Sequence, residues 1–180
     1  MMLMHILRWI FANDAHRVKP KEIGMQDVIN WRRLDAQVTT SGQPTEAQLA
    51  QIKALGVRDV INLGPHSNKG ALVDEAGTVA ELGMRYVYIP VDFDAPTDTD
   101  FAAFCSAMAQ VGETSVHVHC IYNARVSAFF YRYAQEGRGG SVDEAFARMD
   151  GIWRPGGVWA EFIGKDADID LPNRYAGDDY

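Results

Sequence analysis

The residue types with the most direct chemistry lie in one stretch, VHVHCIYNARVSAFF, which runs from Val116 to Phe130. Cys120 ends an apolar segment typical of a buried strand, and a helix with a bulky apolar face is predicted to begin after Arg125. Amides in a loop that joins a strand to a helix are unpaired, and the helix dipole adds positive charge, so this loop predicts an anion site. Because the same donors stabilise a thiolate, the nucleophilic form of cysteine, we predict that Cys120 is reactive.

The residues that follow Cys120 fit an anion-binding loop. Arg125 presents a planar guanidinium that can hold a tetrahedral oxyanion with two hydrogen bonds, which a lysine ammonium cannot do. Asn123 tolerates the left-handed backbone that a tight anion-binding turn often needs. The side chain of Tyr122 either lines the mouth of the loop or covers the sheet. We expect five consecutive residues to bind the anion: Ile121, Tyr122, Asn123, Ala124 and Arg125.

An acidic loop, PVDFDAPTDTD from Pro90 to Asp100, offers a general acid. Asp92 and Asp94 directly follow a predicted strand, and a carboxylic acid is a usual proton donor to a leaving alkoxide. Their side chains lie on one side if the strand continues, and on different sides if a turn intervenes at Phe93. Both aspartates are candidates, and Asp94 is slightly preferred.

The other cysteine and a pair of histidines have simpler interpretations. Cys105 lies in FAAFCSAM at a spacing that matches a buried helix face, so we predict a core residue and not a resolving thiol. His117 and His119 share one face of their strand while Cys120 faces away, and no further ligands cluster with them. We therefore predict no metal site and no cofactor.

Two polar residues outside the loop are weaker candidates. Gln43, in the turn SGQP, either approaches the site or only shapes its own turn. Ser127 lies one turn into the predicted helix, where its hydroxyl either donates to the leaving thiolate or caps the helix. We keep both as supporting residues.

Composition sets limits on the class of protein. The 180 residues are 47% hydrophobic and 23% charged, which is typical of one globular domain. A net charge of -7 has the wrong sign for a protein that binds nucleic acid backbones. Any anion site must therefore be locally positive.

Helix and strand signals alternate around the reactive loop. Thr45 and Gln48 form a capping box for a helix that ends near Gly56. Strands are predicted at 57–63, 84–89 and 114–119, and helices before Gly83, at 98–108, after Arg125 and from Ser141 to Ile152. This order predicts a three-layer α/β fold with a mainly parallel central sheet flanked by helices, and a ligand site at the carboxyl ends of the strands.

Three stretches carry a resemblance to a known family: TSGQPTEAQLAQIKALGVRDVINL, MRYVYIPVDFDAPT and VHCIYNARVSAF. They resemble the cysteine-dependent protein tyrosine and dual-specificity phosphatases, in the bacterial branch that includes the phosphatase-like domain of beta-lactamase-hydrolase-like proteins. The resemblance covers roughly residues 30 to 163. It implies that Cys120 attacks phosphorus, that Asp92 or Asp94 protonates the leaving group, and that His119 helps to hold the thiolate. A core histidine is the alternative for His119.

The spacing within the loop departs from the main phosphatase signature. Four residues separate Cys120 from Arg125, whereas that signature has five. One residue fewer shortens the loop perimeter by up to about 3.5 Å, which disfavours a phosphoryl group relative to a smaller guest. Four is the spacing of rhodanese-type sulfurtransferases, so a Cys120 persulfide is the alternative chemistry. A catalytically silent phosphate-binding module is a third reading.

The ends of the chain are predicted to lie outside the working domain. We expect an N-terminal extension at 1–26, the phosphatase-like domain at 27–165 and a surface-hugging or frayed tail at 166–180. The opening MMLMHILRWIFA is too short to cross a bilayer and is read as an amphipathic segment, with export a minority alternative. We expect a cytoplasmic protein that acts on a phosphorylated small molecule or phosphoprotein, without nucleic acid and without an integral membrane segment.

Overall fold

A computed structural model describes residues 24–177 of the chain, so the predicted N-terminal amphipathic segment lies outside the described residues. Five strands form the main sheet: β1 (Arg32–Arg33), β2 (Val38–Ser41), β3 (Val57–Asn62), β4 (Arg85–Tyr88) and β5 (Ser115–His119). Their order is β1-β2-β5-β3-β4, and every neighbouring pair is parallel except the antiparallel pair β1 and β2. The predicted, mainly parallel sheet is thus confirmed.

Six α-helices and a small second sheet complete the described part of the fold. The helices are α1 (Glu46–Ala54), α2 (Glu75–Glu81), α3 (Asp98–Val111), α4 (Ala124–Gln135), α5 (Val142–Asp150) and α6 (Gly157–Phe162). Strands β6 (Trp153–Arg154) and β7 (Arg174–Tyr175) pair antiparallel in the second sheet. None of the helices at 24–177 is long and apolar enough to cross a membrane.

Two apolar clusters, one on each face of the sheet, make the fold three-layered. On one face, Val60 of β3 packs with Leu49 and Ile52 of α1 and with Val79 of α2. On the other face, a larger cluster joins the sheet to α3, α4, α5 and α6. Successive β3 residues point to opposite faces, so one strand supplies both clusters.

Helix signals in the sequence located most of these elements. Thr45 accepts from the amide of Gln48, whose side chain in turn accepts from the amide of Thr45, which confirms the capping box. Gly56 takes a φ of 92°, which favours glycine at the turn from α1 into β3. Helix α4 differs from the prediction, because it begins at Ala124 and therefore includes Arg125.

The strands before α1 were not predicted. Residues 38–41 read VTTS and are all buried, although three of the four are polar. Their burial is possible because hydroxyls find partners: Thr39 Oγ1 and Ser41 Oγ each lie 3.0 Å from a ring nitrogen of His117. Burial lowers the pKa of His117 well below its usual range, as expected for a neutral core histidine.

Candidate functional site

The loop between β5 and α4 lies at the carboxyl edge of the sheet, with β2 and β3 on either side of β5. Cys120 is its first residue and is only 1% exposed. Among residues 24–177, no acceptor binds the amide N–H groups at 121–125. Unpaired amides around a buried cysteine at a helix start form a local site for negative charge.

Asn123 shapes this loop as predicted. Its φ of 70° is left-handed, and it is the N-cap residue of α4 without a side-chain capping bond. Its Nδ2 instead donates to the carbonyl of Asn30 at 2.8 Å and to Thr40 Oγ1 at 3.1 Å. Nδ2 of Asn30 donates back to the carbonyl of Tyr122 at 2.9 Å, so the loop is fastened to the β1–β2 region.

The turn SGQP, which the sequence left as a weak candidate, contacts the same loop. The amide of Gln43 donates to the carbonyl of Ile121 at 3.1 Å. A Cβ added at Gly42 would lie 2.7 Å from that carbonyl oxygen, so the two backbones leave no space for a side chain. Gln43 therefore packs against the backbone of the loop.

Arg125 links the loop to the acidic segment. Its Nε donates to the carbonyl of Val91 at 2.9 Å, and its guanidinium carbon lies 5.0 Å from the ring centre of Phe93. Within residues 24–177, no acceptor binds Nη1 or Nη2. These two nitrogens are the ones that a planar guanidinium offers to an oxyanion.

The backbone bends at Phe93 and Asp94, so strand β4 does not continue through the two candidate acids. Both side chains are exposed, and Oδ1 of Asp92 accepts from the amide of Asp94 at 2.9 Å. Asp94 lines an open groove of about 790 Å³ between α3, α4 and α6, whose lining does not include Cys120 or Arg125. The bend thus corresponds to the alternative in which a turn separates the two side chains.

His119 lies at the end of β5, fully buried beside a carboxylate that the sequence analysis missed. Its Nε2 is 2.7 Å from Oε1 of Glu75, and its Nδ1 is 3.4 Å from the carbonyl oxygen of Cys120. Glu75 also accepts from Gln43, Asn62 and Tyr86. A single glutamate at a helix start carries no sequence signal for this convergence.

Ser127 and Cys105 have structural surroundings. Ser127 donates its hydroxyl to the carbonyl of Ala124 at 2.9 Å and accepts from Nε1 of Trp153 at 3.0 Å. Its proton is therefore directed to the helix backbone and not to Cys120. Cys105 packs against the core from α3, and burial raises the pKa of its thiol. Within residues 24–177, no group of histidine, cysteine, aspartate and glutamate side chains could hold a metal ion.

An arc of four aromatic rings, which we call the aromatic arc, borders the loop. Ring centres are 5.8 Å apart for Phe93 and Trp153, 5.9 Å for Trp153 and Tyr175, and 5.5 Å for Tyr175 and Tyr122. Burial raises the pKa of Tyr175, with Arg125 opposing and Tyr122 and Cys120 adding to that rise. The C-terminal tail thus reaches the candidate site through Tyr175. The low apolar content of the tail did not predict this contact.

Known proteins resemble this chain in sequence and in fold. Residues 11–157 match the family described as "DSP-PTPase phosphatase fused to NAD+ Kinase". A beta-lactamase hydrolase-like protein of Agrobacterium fabrum is 31% identical over 91 residues, which are 49% of this chain and 21% of that protein. The chain therefore matches only a minor part of that relative.

Solved structures share the fold. A DUF442 protein from Shewanella putrefaciens CN-32, described as a candidate phosphatase, is 35% identical with a TM-score of 0.69, over 78% of this chain and 93% of that one. TpbA of P. aeruginosa shares the fold at 22% identity and a TM-score of 0.54, over 67% of this chain and 72% of that one. The resemblance seen in the sequence is confirmed: this chain belongs to the DSP-PTPase phosphatase family.

Proposed function

We propose that this chain is a cysteine-dependent phosphatase that hydrolyses phosphate monoesters through a phosphocysteine intermediate. One observation carries the proposal: among residues 24–177, neither the amides at 121–125, which directly follow Cys120, nor Nη1 and Nη2 of Arg125 have an acceptor. Such a set of fixed donors suits a phosphoryl group whose charge grows in the transition state.

The proposed reaction has two balanced steps. The Sγ thiolate of Cys120 bonds to phosphorus while the ester P–O bond breaks, and Asp92 or Asp94 gives its proton to the leaving oxygen. Water then attacks the phosphocysteine, the same carboxylate takes a proton from that water, and the P–S bond breaks. Inorganic phosphate leaves, and the thiolate of Cys120 is restored.

The substrate is proposed to be a phosphorylated small molecule or a phosphoprotein. Family membership supports a phosphorylated substrate. One solved relative, TpbA of P. aeruginosa, was crystallised with phosphotyrosine. We also propose a reducing compartment such as the cytoplasm, because Cys105 and Cys120 are both free thiols.

The test measures release of phosphate from p-nitrophenyl phosphate by the full chain. We expect Cys120→Ser to abolish turnover and Cys105→Ser, the matched control, to keep it. Asp92→Asn and Asp94→Asn identify the acid, because only the one that protonates the leaving group slows the reaction strongly. Turnover that survives Cys120→Ser would contradict the proposal.

Sulfur transfer is the second candidate, because four residues separate Cys120 from Arg125. In that reaction Cys120 carries a persulfide, whose outer sulfur passes to cyanide or a thiol. Thiocyanate release from thiosulfate and cyanide, unaffected by Asp92→Asn and Asp94→Asn, would favour it. If neither reaction occurs but phosphate raises the melting temperature, a silent binding module is indicated.

A further inference from the structure

Glu75 is a buried carboxylate to which the proposed reaction gives no role. It is the first residue of α2 and is 1% exposed. Side chains from four separate places converge on it: Gln43 after β2, Asn62 at the end of β3, Tyr86 in β4 and His119 at the end of β5. Residues distant in sequence thus surround one carboxylate at the carboxyl edge of the sheet.

These contacts keep Glu75 ionised. Burial alone would raise the pKa of the carboxyl, but the contact with His119 and the hydrogen bonds from Gln43 and Tyr86 outweigh it, so the pKa of Glu75 falls below its ordinary range. A buried carboxylate that stays ionised is stabilised by hydrogen bonds and by an opposite charge close by. Nε2 of His119, 2.7 Å from Oε1, is in the position to supply it.

The surroundings of His119 suit a cation. Nε2 faces the carboxylate of Glu75 in a contact that is short but bent, and Nδ1 faces the carbonyl oxygen of Cys120 at 3.4 Å. Both ring nitrogens therefore face oxygen acceptors, and only a doubly protonated imidazole donates from both. A positive charge held against the backbone of Cys120 favours the thiolate.

We infer that Glu75 is a positioning residue for Cys120, because it holds His119 as an imidazolium next to the reactive loop. This inference rests on the proposed role of Cys120 as the nucleophile. Glu75 acts through His119 alone and needs no contact with substrate.

The other titratable groups around the pair do not share this role. Tyr86 donates to Glu75, and burial raises the pKa of its hydroxyl, so it stays protonated. The ring of His117 stacks on His119 with centres 5.9 Å apart, and burial lowers its pKa well below the usual range. Near Cys120, burial raises the pKa of Tyr175, and Arg125 is always charged.

The test follows alkylation of Cys120 by iodoacetamide as a function of pH, with the modified peptide quantified by mass spectrometry. In the wild-type chain we expect the rate to rise at a lower pH than for free cysteine. Glu75→Gln should move the profile up by about one pH unit, a roughly tenfold loss of rate at a pH below the rise of the wild-type profile. His119→Gln should move it in the same direction, and the double variant no further than His119→Gln alone.

Asp59→Asn is the matched control. Asp59, in β3, is another buried carboxylate, but it contacts Arg85 and Thr114 and not His119. Its neutralisation should leave the alkylation profile unchanged. Circular dichroism shows which variants fold. If Glu75→Gln does not fold, the alkylation profile of His119→Gln tests the inference in its place.

The outcomes separate this inference from the proposed function. Suppose that the wild-type alkylation rate rises at a lower pH than that of free cysteine, and that neither Glu75→Gln nor His119→Gln changes this pH. The inference is then overturned while the phosphatase proposal stands. Additive shifts in the double variant also overturn it, since Glu75 would then act without His119. If Glu75→Gln shifts the profile but phosphate esters are not hydrolysed, the inference holds and the phosphatase proposal fails. A wild-type profile no lower than that of free cysteine overturns both.

Discussion

Two buried carboxylates, towards opposite ends of the central sheet, are held in different ways. Asp59 accepts from Thr114 at 2.7 Å and pairs with Arg85, whose side chain is 51% exposed. Glu75 pairs with His119, and neither side chain reaches solvent. Water screens the first pair, whereas a fully buried pair acts strongly on its neighbours. The two acids thus differ: Asp59, in β3, shares its charge with a solvent-exposed partner, whereas Glu75, in α2, and its partner are both shielded from water.

The connections at the two ends of the strands explain this division. At the amino end of β3, the helix α1 turns into the strand within a few residues, at Gly56. At the carboxyl end, longer connections follow β3 and β4, and the loop with unpaired amides follows β5. Open connections at the carboxyl ends of parallel strands are where ligands bind in such folds.

The largest contrast in turnover is expected between Arg125, at the carboxyl end of the strands, and Arg85, at the amino end. Arg125→Lys removes the planar pair of donors, so turnover of p-nitrophenyl phosphate should fall by about 10²- to 10³-fold. Arg85→Lys, the same change at the amino end, should leave turnover within about twofold. Equal losses from both variants would remove the functional distinction between the two ends.

The acids should also differ in their effect on stability. Glu75→Gln leaves His119 buried without its counter-charge, and breaking such a pair costs about 3 kcal/mol or more. Asp59→Asn loses a pair with one exposed partner and should cost about 1 kcal/mol. Urea unfolding at neutral pH, monitored by circular dichroism, measures both free energies of unfolding. A larger cost for Asp59→Asn would reverse the comparison.

The contribution of Glu75 should depend on pH in a defined direction. Because its pKa is lowered by folding, the ionised carboxylate stabilises the protein fully above its ordinary value of 4.5. That stability is lost as the pH falls through the lower pKa of the folded state. The gap in unfolding free energy between wild type and Glu75→Gln should therefore narrow as the pH falls below 4.5. A gap that widens on acidification would contradict this assignment.

The smallest effect is expected at the aromatic arc, which borders only the carboxyl end. Tyr175→Ala should raise KM for p-nitrophenyl phosphate by about threefold to tenfold with little change in kcat, because a ring contact contributes about 1 kcal/mol. Tyr175→Phe keeps the ring and should behave as wild type. Leu171→Ala, an exposed position in the same segment, is the control for loosening of the tail. A loss confined to kcat would argue against a binding role.

Local signals made the central part of the fold predictable. The capping box at Thr45 and the alternation of helix and strand depend on near neighbours, and both were found, although α4 begins at Ala124 and not after Arg125. Asn123 was expected to be left-handed because of its residue type alone, and it is. The membership of the family followed from motifs that lie close together in the chain.

The missed features depend on contacts between distant residues. Strand β2 is buried through hydroxyl bonds to His117, a partner 76 or more positions away, so its polar sequence gave no strand signal. Glu75 acquires its surroundings only when four separate elements meet. Tyr175 reaches the loop through the pairing of β6 with β7, which the composition of the tail did not indicate.

The late position of Tyr175 in the sequence has a consequence for protein synthesis. Its ring contacts Tyr122 although it lies 53 positions later in the sequence. During translation, the thiol of Cys120 and the first turn of α4 leave the ribosome before the ring of Tyr175, which borders their loop. A nascent chain therefore passes through a stage in which Cys120 has been made but Tyr175 has not.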